Sequence, residues 1–530
     1  MKFQVLSLLV AGGLAACSKS EAPPVSPPVA QPVAAASAPA DAPGIAWREA
    51  SNDAEVDAAF ALARTSDKPV FMYWGASWCP PCNQLKATLF NRQEFIERTR
   101  AYVAVAVDGD RSGAQKVGAR FQVRGYPTMV LFDPQGQELA RLPGEVDAAQ
   151  VSALLAQGQD IRKPFKAVFE AARAGGAGLA PGDWSRLAFH SWETDQALVG
   201  EQKLAALLDG LARACPADAA DAGERLALKA LANTDTKDAK PSDASATRVL
   251  HVLADASRSR ALMDVLTNAA AEIVTAATAP KTPTRATLAA AFDTRLVALQ
   301  ADATLSRADR FTALAGRIAI AQLDGGKTPP ALADAARSMA AQADREITDG
   351  YERQAVITTA ADVLERAGLI AESDALLKAN LARSHSPYYL MTGLALNAKK
   401  RGDKAEALRW YQQAFDTSEG PATRLQWGAA LLAALVELAP ADAPRIERTA
   451  AQLFDEASKQ GDAFHDRSGR SLQRIGTALA GWSAKGAHGA EMTRLRTKLG
   501  AQCDALPEAE PAQRESCRRV LTAPSAKRTS

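Results

Sequence analysis

Two cysteines three positions apart, Cys79 and Cys82, lie in the run Trp78-Cys79-Pro80-Pro81-Cys82. A pair at this spacing can exchange with a disulfide: one thiolate attacks, and the other resolves the mixed disulfide that results. The attacking group must be a thiolate. A helix N-terminus favours one, because its unpaired amides and macrodipole stabilise negative charge. The flanking residues supply such a place. An apolar run, residues 70–74, precedes the motif, and an amphipathic stretch, residues 83–90, follows it with Leu85 and Leu89 four apart. The pattern predicts strand, short turn and helix, with Cys79 near the N-cap and Cys82 one turn later on the same side. Pro80 and Pro81 fit the first helical turn, where a missing N–H costs nothing.

A lone Cys-x-x-Cys can also be half of a zinc site, but no second pair and no His partner lies nearby, so no metal is expected. His190, His251, His385, His465 and His488 are scattered without ligand spacing. Cys503 and Cys517 lie in a Pro-interrupted tail and are expected to close a short loop as a structural disulfide; an alternative makes them an internal redox partner of Cys79. Cys215 reads as a buried thiol. No phosphate loop, nucleophile elbow or metal signature is present. The net charge of +2 gives no reason to expect a nucleic-acid partner.

The elements around the motif follow from periodicity. Asn52 or Asp53 caps a helix through Arg64, with Val56, Ala59, Phe60 and Ala63 on one face. Lys68-Pro69 ends it before the strand at 70–74. A second helical patch lies near 93–99. Residues 102–107 form a nearly continuous apolar strand, as expected where both faces are covered. A short helix at 114–121 follows. Gly125-Tyr126-Pro127-Thr128 leads into a strand at 129–132, and Asp133-Pro134-Gln135-Gly136 turns it into a hairpin with 138–142. Asp147 and Gln150 make a capping box for a last helix.

This order, with Trp-Cys-Pro-Pro-Cys, Val107-Asp108 after a strand, and Val123-Arg124-Gly125-Tyr126-Pro127-Thr128, resembles the thioredoxin family over about a fifth of the chain. The resemblance implies an α/β thioredoxin fold, a central mixed sheet flanked by helices. It implies that Cys79 is the nucleophile, Cys82 the resolving thiol and Pro127 a cis proline beside them. It also implies that Trp78, Tyr126 and Pro127 meet an extended substrate, Tyr126 through its backbone. The only cofactor it implies is the Cys79–Cys82 disulfide itself. Two positions depart from the pattern. Tyr73 stands where the family carries a buried aspartate that moves protons for the second cysteine. Pro80-Pro81 replaces the family's Gly-Pro. Cys-Pro-Pro-Cys occurs in several periplasmic relatives that look like reductases, which favours reduction or exchange over oxidation.

The N-terminus places this chemistry. Met1-Lys2 and the short apolar stretch at 3–16 have signal-peptide proportions, too short to span a bilayer well. The stretch ends in Leu14-Ala15-Ala16-Cys17, which resembles a bacterial lipobox. That likeness implies cleavage of a signal peptide, 1–16, and lipidation of Cys17; an ordinary signal peptide is the alternative. Ser18 after the cysteine favours the outer membrane. Residues 17–44 are rich in Pro and Ala, a semi-rigid linker of polyproline II character. The expected location is the periplasm, lipid-anchored, an oxidising space.

Beyond the first folded domain, 45–160, the strand signals nearly vanish. Residues 161–345 read as packed helices, with Trp184, Phe189 and Trp192 as core anchors. Within 346–460, the run from Arg401 to Phe415 resembles the turn and second helix of a tetratricopeptide repeat, with Gly402, Ala407, Tyr411 and Ala414 at that family's positions. Gly368 lies 34 residues before Gly402, the period of that repeat. A third helix pair is expected at 427–438 and 447–457. Residues 461–530 form a helical tail. Stacked hairpins of this kind leave grooves for extended peptides or partner helices; a helical stack that binds nothing is the alternative.

The sequence thus predicts a membrane-tethered protein-disulfide oxidoreductase with a helical arm for substrate or partner, fed by an upstream membrane electron donor. Two other readings remain: an envelope scaffold whose first domain turns over little, and a redox sensor in which Cys79–Cys82 oxidation alters the arm's partners.

Overall fold

The apolar runs near the start of the chain build one five-stranded sheet. The computed structural model describes residues 44–522 apart from 143, 145, 146, 159, 160, 162 and 487. The signal-peptide stretch, Cys17 and the linker up to residue 43 lie outside the described residues. In chain order the elements are β1 (Arg48–Glu49), α1 (Asp53–Ser66), β2 (Val70–Gly75), α2 (Pro80–Thr88), α3 (Gln93–Thr99), β3 (Val103–Asp108), α4 (Ala114–Arg120), β4 (Thr128–Phe132), β5 (Glu138–Leu142) and α5 (Ala148–Gly158). The sheet order is β1-β3-β2-β4-β5. β1, β3 and β2 run parallel, whereas β4 is antiparallel to β2 and β5.

β2 is central, and its composition explains why. Every residue from Val70 to Gly75 is buried. Val70, Met72 and Trp74 face one core with Val56, Phe60 and Val117, from α1 and α4. Phe71 and Tyr73 face the other with Leu85, Phe95 and Leu155, from α2, α3 and α5. A strand covered on both faces has no polar side to show, so its sequence reads as an unbroken apolar run. The caps are local. Asn52 accepts the Glu55 amide at the start of α1, and Asp147 and Gln150 exchange bonds at the start of α5.

From Phe165 onward every regular element among the described residues is a helix. A first layer packs around Trp184 and Trp192, both essentially inaccessible, with Phe189 at its margin. A second runs from Leu228 to Ile320. The largest core extends from Ala308 to Val520. Within it, helices pair as Gly350–Arg366 with Ile370–Asn380, Pro387–Lys400 with Lys404–Thr417, and Pro421–Leu438 with Ala443–Ser458. The first two pairs turn at Gly368 and Gly402, with φ of +84° and +77°. That left-handed conformation favours glycine at a helix end. Cys503 and Cys517 are bonded and buried, and tie Gly489–Asp504 to the last helix, Pro511–Arg519. Cys215 is half-buried rather than enclosed; partial burial raises its pKa.

Candidate active site

β2 ends at Gly75, and the chain turns through Ala76 to Trp78 before α2 begins. Cys79 is the N-cap of α2, and its Sγ accepts the Cys82 amide at 3.2 Å. Pro80 and Pro81 fill the first helical turn. The two cysteines are joined in a disulfide, with Cα atoms 5.2 Å apart. Asn83 braces the turn by donating to the Ser77 and Cys79 carbonyls at 2.7 and 2.8 Å. When the pair is reduced, the amides and dipole of α2 favour a thiolate at Cys79.

The Tyr126–Pro127 peptide is cis and opens β4. Thr128 Oγ1 donates to the Gly125 carbonyl at 2.7 Å and holds that corner. Tyr126 packs with Trp78 against the small buried cluster of Ala76, Cys79 and Cys82. Its hydroxyl end tucks against Gly109, where a Cβ would lie 2.1 Å from the oxygen. Burial pushes the Tyr126 phenol up to about 12, so it stays protonated.

Tyr73 sits below the motif on β2. It is buried, its hydroxyl has no hydrogen-bond partner, and burial pushes its pKa well above the ordinary value. A phenol in that state neither takes nor gives a proton near neutral pH. It supplies no substitute for a carboxylate.

Residues 56–159 match the family model of a thioredoxin-like domain. This part of the chain is a thioredoxin-like domain, and a large helical region follows it. Thiol:disulfide interchange protein DsbD 1 of Pseudomonas aeruginosa is 32% identical over 113 residues, 21% of this chain and 19% of its own. DsbD of Klebsiella pneumoniae is 32% identical over 115 residues, again 21% and 19%. The chain therefore spans about a fifth of the length of the curated relatives it matches. Among solved structures, a thioredoxin from Thermus thermophilus shares 25% identity, with 22% of this chain and 86% of that one covered and a TM-score of 0.19. A DsbH oxidoreductase shares 22% identity, with 24% and 92% covered and a TM-score of 0.20.

The helical region folds over the motif of the thioredoxin-like domain. Cys79 is 1% exposed and Cys82 0%. Trp78 is held on several sides. Its Nε1 donates to Thr423 Oγ1 at 2.9 Å, its ring stacks on Tyr389 and meets Trp427 edge-on, and the Arg467 guanidinium lies 5.3 Å from its centre. Gln354 donates to the Trp78 carbonyl at 3.4 Å, and the His385 ring nitrogen bonds the Ser77 carbonyl at 2.9 Å. Beside the motif, Asp110 accepts from the Thr423 amide and hydroxyl at 2.8 and 2.6 Å and pairs with Arg467 at 2.7 Å. Gln115 joins the same seam through Asp462 and Ser468. On the other flank, Gln84 of α2 donates to Ser306 and Asp309.

None of Asp110, Thr423, Tyr389 or Arg467 was marked by its local sequence, because their partners lie more than 300 residues away. One signal was available. Arg467, Arg470 and Arg474 follow a helical stripe on Asp466–Lys485, opposite the buried Leu472, Ile475 and Leu479.

A cavity of about 600 Å³ opens between Trp78, Tyr126 and that stripe. A second of about 590 Å³ runs from Pro80 and Pro81 along the helix pairs past Tyr389 and Leu396. A third of about 310 Å³ adjoins Pro127. Elsewhere, Glu138, His190 and Asp195 bring ligand-type atoms within 4.8 Å of one another. Arg141 already bonds Glu138 at 2.7 Å and lies 3.8 Å from Asp195. Its guanidinium takes the cation's place, so the group is a buried ion network joining β5 to the helical region.

Proposed function

We propose that the protein is a thiol–disulfide oxidoreductase, tethered by lipidated Cys17 to the outer membrane and facing the periplasm. It acts on protein disulfides in the reducing or exchange direction. The observation that carries this reading is the placement of Cys79 as N-cap of α2, bonded to Cys82 and facing a cis Tyr126–Pro127 corner. The likeness to thiol:disulfide interchange proteins supports it.

In this reading the Cys79 thiolate attacks one sulfur of a substrate disulfide. That S–S bond breaks, and the first substrate thiolate leaves and takes a proton from solvent. The Cys82 thiol then loses its proton and attacks the Cys79 sulfur. The Cys79–Cys82 disulfide forms, and the second substrate thiolate leaves and is protonated. Two electrons pass to the substrate. A dithiol donor on or near the membrane must return them. Tyr73 offers no base for the resolving step, so the Cys82 proton passes to water or to another base; Asp108 lies near enough to act on the Tyr73 phenol, and burial raises its pKa.

The helical region serves this chemistry by selecting what reaches the motif. The spacing of Gly368 and Gly402, with paired helices on either side, supports a tetratricopeptide-type arrangement that receives a substrate or partner. Because Trp78 is gripped by that region, a sensor reading, in which the redox state of the pair is relayed to the arm, is favoured over a passive scaffold as the second possibility.

The test uses purified protein with dithiothreitol as donor and a disulfide-bridged peptide as acceptor. Wild type should turn over, and Cys79→Ser should fall to the uncatalysed rate. Cys82→Ala should accumulate a mixed disulfide through Cys79, resolved by mass spectrometry. Wild-type protein that is reduced at Cys79 yet inert would end the enzyme reading. In cells, loss of an acyl mass from Cys17→Ala checks the tether.

A further inference from the structure

Ten residues line the cavity between Trp78 and Tyr126; four are arginines, and none is acidic. Three of these come from one helix stripe, Arg467, Arg470 and Arg474, and the fourth is Arg124, two residues before Tyr126. Two carboxylates compensate part of the charge. Asp110 holds Arg467, and Asp466 holds Arg470. Arg474 and Arg124 form no ion pair among the described residues, although Asp466 also lies near enough to attract Arg124. Arg474 donates to Ser471 Oγ at 3.1 Å, and Arg470 donates to the Arg124 carbonyl at 3.3 Å. Burial, with repulsion from Arg470 and Arg467, lowers the Arg474 pKa. Like charges at helical spacing repel, and a guanidinium removed from water gains most from a carboxylate that meets it two-pronged. The space is large enough for a few residues of peptide or a small molecule. It touches Tyr126, the residue whose peptide bond with Pro127 is cis, and Trp78, the residue before Cys79.

We propose that this cavity binds a carboxylate carried close to the disulfide of the substrate. Arg474 and Arg124 hold it beside Trp78 and Tyr126, so the attached sulfur is already at the motif when the helices part and expose Cys79. The site therefore selects acidic disulfides. It rests on the oxidoreductase reading for the role of the bound group, but not for the binding itself. The carboxylate has two sources: an acidic side chain beside a cysteine in a polypeptide, or a low-molecular-weight disulfide bearing its own carboxylates.

The full chain is assayed with dithiothreitol and three disulfide-bridged peptides that differ only in having Glu, Gln or Lys beside the cysteines. The Glu peptide should exceed the Lys peptide in kcat/KM by about tenfold or more at low salt, and the gap should narrow as salt rises. Arg474→Gln with Arg124→Gln should bring that ratio near one, and Arg474→Glu should favour the Lys peptide. Arg474→Lys should retain part of the preference, which separates charge from misfolding. Oxidised glutathione preferred over its ester would point to the small-molecule source; preference confined to peptides would point to a polypeptide. Equal rates for the three peptides, or a ratio indifferent to the arginine changes, would overturn the proposal. Should no disulfide be turned over, the oxidoreductase reading fails and the site is tested by calorimetry with the Glu peptide carrying Ser for Cys. Binding lost in Arg474→Gln supports the site, and absence of binding to wild type overturns it.

Discussion

At the scale of single residues, Tyr73 and Gly109 make opposite demands on the site. The Tyr73 hydroxyl is buried without a partner, and such a group costs roughly 1–3 kcal/mol. Tyr73→Phe should therefore leave stability unchanged or raise it by up to about 2 kcal/mol in urea titration. It should also leave the rate of mixed-disulfide resolution as it was, since the phenol is not a proton carrier. A clear fall in that rate would give Tyr73 a chemical role. Gly109 tolerates nothing larger. A Cβ would collide with the Tyr126 oxygen, so Gly109→Ala should push the Tyr126 ring from its place. The expected cost is about 1–3 kcal/mol in stability, the range for overpacked sites. It should come with a lower kcat/KM on disulfide peptides, because Tyr126 packs against the Cys79–Cys82 cluster.

Single elements carry the parts of the molecule that local sequence could announce. β2 was legible because burial on both faces leaves only apolar residues, and α2 because two prolines and a cysteine mark its first turn. The Asp147–Gln150 cap was legible because both partners sit within one turn. β1 escaped, since two exposed residues pairing with β3 show no period. His190 escaped too. It follows the helix Pro181–Phe189, stacks on Phe165 at 4.0 Å and meets Asp195 Oδ2 through Nε2 at 2.9 Å, while Nδ1 has no partner. That geometry fits a neutral ring donating from Nε2; a proton on Nδ1 would be buried with no acceptor. Burial accordingly lowers its pKa, despite Asp195 and Glu138 nearby. The sign follows from linkage. Above about pH 6.5 neither folded nor unfolded His190 is protonated, and below it only the unfolded chain takes up the proton. Stability should thus fall as pH drops from about 6.5 towards 5. Urea midpoints should show a smaller fall in His190→Gln, which keeps a donor towards Asp195. The lowered pKa of Asp195 acts at more acidic pH, outside this window.

At the scale of the whole molecule, the governing fact is the seam between sheet and helices, marked in the sequence only by the arginine stripe of Arg467, Arg470 and Arg474. The helix pairs could be read from turn glycines and small residues. Their position over Trp78 depends on Asp110, Thr423 and Arg467, which meet only after both parts have folded. Asp110→Ala leaves Arg467 without its buried partner. Breaking such a pair is destabilising, and a seam weakened by roughly 2 kcal/mol is about thirtyfold more often open. In reduced protein, alkylation of Cys79 by iodoacetamide should accelerate accordingly. An unchanged rate would mean that the sulfur is reached by a path that does not part the seam.

The near-complete enclosure of the Cys79–Cys82 bond also has a consequence in time. A reagent outside must wait for the helices to part. At low concentrations of a small thiol, the rate of reduction rises in proportion to concentration. At high concentrations it should level off at the frequency of opening, the same ceiling for every reagent regardless of its nucleophilicity. The protein would then keep its own clock. Its oxidised form would persist through brief surges of reductant and yield fastest to a partner that parts the helices itself.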